Sequence, residues 1–249
     1  MWALAPGTTA PALAAWAAQQ EQPRAVLVVS PHWMTRQEPV VMTTAQPQTW
    51  HDFGGFPEAL YQLQYPAPGA PDVALRAQTL LTQAGWQAGV DDERPFDHGS
   101  WVPMRFMWPH ADVPMCQVSL PAHCGPADLM RMGQALSSLR DEGVLIMTTG
   151  SMTHNLRERN APGVDLSYVP EFAAWVRQAV KAGDTDRLLD WARQAPHAQR
   201  AHPSDEHFVT LFIAMGAAQT GEAPQWLSEE IQFDYLAMDA VAWGGIPAA

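Results

Sequence analysis

Two short apolar runs, "AVLVVS" at 25–30 and "GVLIMTTG" at 143–150, limit the folds open to this chain more than any other feature. Each is the length of a strand and far short of a membrane span, and each ends in polar residues. The first reads as a buried strand stopped by Pro31. Helical patterns separate them, so the strands must return to one sheet through helical connections.

The remaining segments fit that alternation. Residues 8–20 make a helix with Pro11 in its first turn, and 71–84 carry apolar positions at helical spacing with Gly85 placed to end them. "EPVVMTTA" and "PMCQVSLP" read as further strands, and 126–140 as a helix. Two helices near 170–182 and 184–193 follow, then one over 203–218, and strand-like material at 229–243. The expected architecture is α/β, a single domain with a central mixed β-sheet covered by helices. In such sheets the functional site lies at strand ends.

Composition narrows the partners. Fourteen Lys and Arg against 26 Asp and Glu give a net charge of -12, with no basic cluster. That excludes a nucleic-acid binder, which draws its affinity from clustered cations. Cys116 and Cys124 form no metal-ligand spacing and are too few for a disulfide framework, so both are expected to be buried and reduced. No stretch is long and apolar enough for a membrane span, and the first residues lack the basic and apolar regions of a secretory signal. A soluble, cytoplasmic protein is expected, with no membrane partner.

Histidines carry the chemical signal. His32 directly follows the first buried strand, and His154 follows "GVLIMTTGS" by a few residues. His98 lies in "DHGSW", read as a loop with Gly99 permitting a tight turn, and His207 opens the apolar part of a helix. His202, five residues earlier, is placed to approach the same cleft. Four imidazoles from separate elements make a metal centre or an acid–base site. Taken singly, a histidine after a strand is more often a hydrogen-bonded structural residue than a ligand, and the spacing adds little because no HExxH or H-x-H pair is present. His51, His110, His123 and His197 read as turn or surface residues. A GxSxG elbow and the phosphate-binding glycine loops are also absent.

Five motifs in order, "SPHW" at 30–33, "HDFGGFP" at 51–57, "DHGSW" at 97–101, "GSMTHNL" at 150–156 and "EHFVTL" at 206–211, resemble the class III extradiol ring-cleavage dioxygenases, in their 4,5-DOPA dioxygenase branch. The resemblance implies a non-haem metal held by histidines and oxidative opening of a catechol-type ring by O2, with a small aromatic diol as substrate. Carried over, His32 and His207 match metal ligands. His154 matches a histidine that is either a further ligand or the acid–base group, and His98 matches one lining the substrate and oxygen side. A catechol must lose protons to bind a metal through both oxygens, so an imidazole base is required beside it. Phe53 and Phe56 are expected to wall a flat ring, with His202 nearby. Iron(II) suits the reaction because electrons pass from substrate to oxygen through it; zinc fits the same donors but has no redox chemistry.

Two departures from the pattern stand out. Thr210 follows "HFV" where the family commonly has proline. At the start, residues after the family's "HGSPM" motif resemble "MWAL", so Met1 aligns with the last residue of that motif. Residues 1–249 then read as one extradiol dioxygenase-like catalytic domain lacking the family's first strand and its metal histidine. Two other classes stay open: a non-catalytic metal- or ligand-binding α/β protein, and a zinc-dependent hydrolase.

Overall fold

The computed structural model describes residues 2–159 and 163–246. Met1, which the sequence pattern sets at the end of a ligand-bearing loop, lies outside the described residues. A helix, α1 (Thr9–Ala17), precedes the first strand, β1 (Ala25–Val29). Every residue of β1 is buried, and its side chains alternate between two cores. Ala25, Leu27 and Val29 face one, while Val26 and Val28 face the other.

Beyond β1 come the short strands β2 (Val40–Met42) and β3 (Gly89–Asp91), separated by the helix α2 (Pro71–Gln83). The helix α3 (His98–Met107) leads to β4 (Met115–Gln117), and α4 (Pro126–Leu136) leads to β5 (Val144–Thr148). The central strands run β4-β1-β5, all parallel, with Leu27 opposite both Cys116 and Ile146. Parallel strands of this kind are covered by helices, here α2, α4, α5 (Tyr168–Ala182) and α6 (Glu206–Ala217). β2 pairs parallel with β3 in a separate two-stranded sheet, linked to the residue after β4 by an isolated antiparallel bridge between Val41 and Val118; the central sheet is therefore parallel rather than mixed as expected. An antiparallel pair, β6 (Pro224–Ser228) and β7 (Ala240–Trp243), packs beside α1.

The structure departs from the sequence reading in the length of some helices and in helices that were not expected, the ten-residue α3 and the short Glu58–Tyr61 and Ala198–Ala201 among them. Residues 126–140 are α-helical only to Leu136; a 3-10 turn over Ser137–Glu142 then ends at Gly143 in the left-handed region. The segment 184–193 is two short helices, Thr185–Leu189 and Trp191–Gln194. "DHGSW" is not a loop, because Asp97 caps α3 by accepting from the Ser100 amide at 3.1 Å and His98 is the first helical residue. Pro103 hides this helix from a sequence reader, yet it removes only one backbone donor. Cys116 is buried and Cys124 half-buried, and both are free thiols. No helix among the described residues is long and apolar enough to cross a membrane.

Candidate active site

All four histidines singled out from the sequence converge at the carboxyl ends of the central strands. β1 runs into Ser30, Pro31 and His32, and β5 into the loop that carries His154. α3 presents His98 from its first position and α6 presents His207 from its second. The ring centroids of His32 and His98 are 4.0 Å apart, those of His32 and His207 5.2 Å, and those of His154 and His207 3.4 Å.

Close backbone approach makes this convergence possible. A Cβ on Gly99 would lie 2.3 Å from the Ser30 hydroxyl and 2.9 Å from the His32 ring, so Gly99 serves packing rather than a turn. A Cβ on Gly150 would lie 2.1 Å from the His207 carbonyl oxygen, which accepts from the Ser151 amide at 2.9 Å. The His154 amide donates to Ala201 O at 2.9 Å. Thr210, the departure noted in "HFVTL", donates its hydroxyl to Thr149 O at 2.9 Å and ties α6 to the end of β5.

Two carboxylates organise the imidazoles. Asp52 Oδ1 accepts from the His98 amide at 2.8 Å and from His98 Nδ1 at 2.9 Å, while Oδ2 lies 3.6 Å from His32 Nδ1. Burial pulls the Asp52 carboxyl up, but the bonds and charge of His98 outweigh it and hold the group below its ordinary value. A carboxylate only accepts, so His98 carries its proton on Nδ1 and keeps the Nε2 lone pair free. Glu206 Oε1 accepts from His207 Nδ1 at 3.0 Å in the same way. That bond brings Glu206 down to about 2 against the opposing effect of burial. A carboxylate behind an imidazole fixes its tautomer and raises its basicity as a ligand.

Burial, reinforced by neighbouring imidazoles, lowers His32 to about 4 and His154 to about 3. Both are therefore neutral near pH 7, with lone pairs available. His32, Asp52 and His98 bring one ligand atom each within 4.8 Å of one another, as do His154, Glu206 and His207. This imidazole and carboxylate chemistry fits a first-row metal such as iron(II) or zinc.

Phe53 and Phe56 line the cavity. Phe53 stands edge-on to His98 with centroids 5.3 Å apart and to Phe56 at 5.5 Å. Arg159 caps this wall, its guanidinium 5.5 Å from the Phe56 ring centre. His202 departs from expectation. It is buried among Phe172, Trp191 and Phe208, does not line the cavity, and gives its Nε2 proton to Met152 O at 2.8 Å. Its place is behind the His154 loop rather than against a substrate. His51 is likewise no simple turn residue: its Nε2 bonds Leu63 O at 2.9 Å and its ring packs on Trp101 and Phe53.

Asp52 and Glu206 were missed by the sequence reading. Each adjoins a histidine in a motif already singled out, "HDFGGFP" and "EHFVTL", and that adjacency was the available signal.

Residues 9–241 match the family described as the catalytic LigB subunit of aromatic ring-opening dioxygenase. The chain belongs to the LigB family. It is 42% identical over 201 residues to a 4,5-DOPA dioxygenase extradiol of Beta vulgaris, covering 80% of this chain and 74% of that one. A protein of the same description from Escherichia coli is 38% identical over 237 residues, 90% of this chain and 83% of its own length. A crystal structure of an uncharacterized Escherichia coli protein superposes with a TM-score of 0.78 at 28% identity, covering 93% and 91% of the two chains. The fold and the enzyme class follow: this LigB-family chain is an α/β enzyme of the extradiol dioxygenase kind.

Proposed function

We propose that this LigB-family enzyme opens the ring of a small catechol-type substrate beside its two hydroxyls, using O2 and iron(II) bound by histidine. The observation that carries the reading is the pairing of each imidazole group with its own carboxylate, His98 with Asp52 and His207 with Glu206, around one cavity. His32 and His207 are the metal donors. His154, stacked on His207, has two roles open, third donor or proton carrier, and metal retention by His154→Ala decides between them. Bound iron(II) supplies the redox path between the aromatic diol and O2.

The chain's own residues supply positioning and proton transfer. His98 Nε2 takes a proton from a substrate hydroxyl, and Asp52 stabilises the imidazolium that forms. In the second of its two open roles His154, neutral because it is buried, carries the further proton released at the diol and returns it as the ring opens. Phe53 and Phe56 hold the flat ring, orienting the diol for reaction. The cavity is mostly apolar at this wall, which keeps water from the reacting oxygens.

Anaerobic loading with iron(II), then addition of a 3,4-dihydroxyphenyl compound and air, tests the proposal. A yellow ring-opened product is expected from the iron form and none from the zinc form. Ring-opened product from the zinc form would overturn the redox role given to iron(II), since hydrolysis cannot open a catechol ring, and full iron occupancy without product would remove the dioxygenase reading.

A further inference from the structure

The three segments that bring His32, Asp52 and His98 to the cavity meet a second time behind it, on the side chain of Arg94. Arg94 lies in the loop after β3, pinned through its backbone: its amide donates to Asp91 Oδ1 at 2.9 Å and its carbonyl accepts from the Thr44 hydroxyl at 2.9 Å. Its side chain turns inward and is 11% exposed. One guanidinium nitrogen, Nη2, donates to the His32 carbonyl oxygen at 3.4 Å and to Asp97 Oδ2 at 3.1 Å. The guanidinium carbon sits 4.3 Å from the ring centre of Trp33 and 5.6 Å from that of Trp50. Trp33 adjoins His32, Asp97 adjoins His98, and Trp50 lies two residues before Asp52. None of Arg94, Trp33, Trp50 and Asp97 lines the cavity.

Asp97 carries the other half of the arrangement. It is fully buried, and besides Arg94 it accepts from Gln117 Nε2 at 2.7 Å and from the Ser100 amide at 3.1 Å. The start of α3, where His98 stands, is thereby tied to the last residue of β4 and to Arg94. A pair selected for strength alone would be a bidentate fork. Here a single nitrogen serves both acceptors, and the buried Nε has no partner among the described residues. Burial of two charges adds little net stability, since desolvation offsets their attraction. What the contacts do fix is geometry. The indole faces orient the guanidinium, and its shared Nη2 sets the distance between the backbones bearing His32 and His98, whose ring centroids are 4.0 Å apart.

We propose that Arg94 is a positioning residue for the candidate site: through Asp97 and the His32 carbonyl it fixes His98 against His32 without touching substrate. The role deepens the proposed function and rests on it for its kinetic consequence. A displacement of ~1 Å in a group that takes a substrate proton costs ~100-fold in rate. Lysine keeps the charge at this position but presents a point donor on a flexible stem, which cannot lie flat against the indoles.

Two variants of the full chain test the role. Arg94→Lys retains the buried cation, and Arg94→Met combined with Asp97→Asn removes both charges together, so neither leaves a lone carboxylate in the core. In metal-free protein, heteronuclear NMR follows the ring N–H of His98, bonded to Asp52, and that of His207, bonded to Glu206. The His98 proton should exchange with water at least ~10-fold faster in each folded variant, while the His207 proton stays as in the unsubstituted protein. With saturating iron(II) and an aromatic diol, kcat should fall ~10- to 100-fold and KM change by less than ~3-fold. Unchanged His98 exchange in a folded variant would overturn the role, as would a kcat within about twofold of the unsubstituted protein's. Equal loss of both ring protons would also overturn it, assigning Arg94 to general stability. The NMR readout needs neither iron nor turnover, so an unsubstituted protein that opens no ring counts against the proposed function alone, and His98 exchange still decides the role of Arg94.

Discussion

His154 and His207 lie face to face, ring centroids 3.4 Å apart and planes 9° from parallel, although 53 residues and two different elements separate them. The pairing is held from behind. His207 is fixed by Glu206, and the loop bearing His154 is fixed by backbone bonds from Ser151 and Met152. Burial keeps His154 neutral beside His207, so its lone pair is available next to that ring, whereas two imidazolium ions there would repel. His207→Ala and His32→Ala should therefore each lower iron(II) or zinc affinity by at least ~100-fold with the fold retained, as measured by metal titration and circular dichroism. Full occupancy in either variant would count against the donor assignment.

Asp52 gives the second prediction. Asp52→Asn keeps the shape but replaces an ionised acceptor with an amide, removing the charge that stabilises a protonated His98. We expect kcat to fall ~10- to 100-fold with bound metal unchanged, and the basic limb of activity to shift. Loss of metal in parallel with kcat would instead make Asp52 a ligand.

The stability of the metal-free protein should fall with acid. His32, His154 and His202 are lowered to about 4, 3 and 4 in the folded state, first by burial. An unfolded chain binds protons at these imidazoles from about pH 6.5 downward while the folded chain does not, so stability declines as pH falls from 6.5 toward 4. Glu206, held at about 2, extends the decline below its ordinary value of 4.5. Urea midpoints should be level from pH 7 to 8 and fall steadily below 6.5; a flat profile down to pH 4.5 would contradict the burial assigned to these rings.

Much of this arrangement was legible in the sequence. β1, β5 and α6 announce themselves by apolar runs and periodicity, and His32, His98, His154 and His207 stand where those elements end. The roles of Asp52 and Glu206 were not legible, because each depends on a side-chain contact that local pattern does not encode. His202 misled for the opposite reason: its nearness to His207 in sequence suggested the cleft, but the turn before α6 points it into an aromatic cluster. The helix α3 was concealed by Pro103, whose usual meaning is a break.

Gly150 provides a test of the packing that unites β5 and α6. Any Cβ there meets the backbone of His207, not a side chain able to swing away. Gly150→Ala should cost about 1–3 kcal/mol in urea denaturation and weaken metal binding by displacing His207. Unchanged stability and affinity would show that the two elements move apart freely.

Phe53→Ala should raise KM for an aromatic diol several-fold while changing kcat less, because the ring wall contributes to binding more than to proton transfer. Steady-state kinetics on the iron(II) protein reads the split. An equal fall in kcat with KM unchanged would place Phe53 in the chemical step instead.

Isotopic labelling of the oxygen is the most direct test of ring-opening dioxygenase chemistry at this site. Iron(II)-loaded protein is given a 3,4-dihydroxyphenyl substrate under heavy-isotope dioxygen in ordinary water, and the ring-opened product is weighed by mass spectrometry. Both atoms of one O2 should appear in the product before exchange with water, at one O2 consumed per ring. A product without label, or substrate recovered intact from fully iron-loaded protein, would contradict the account.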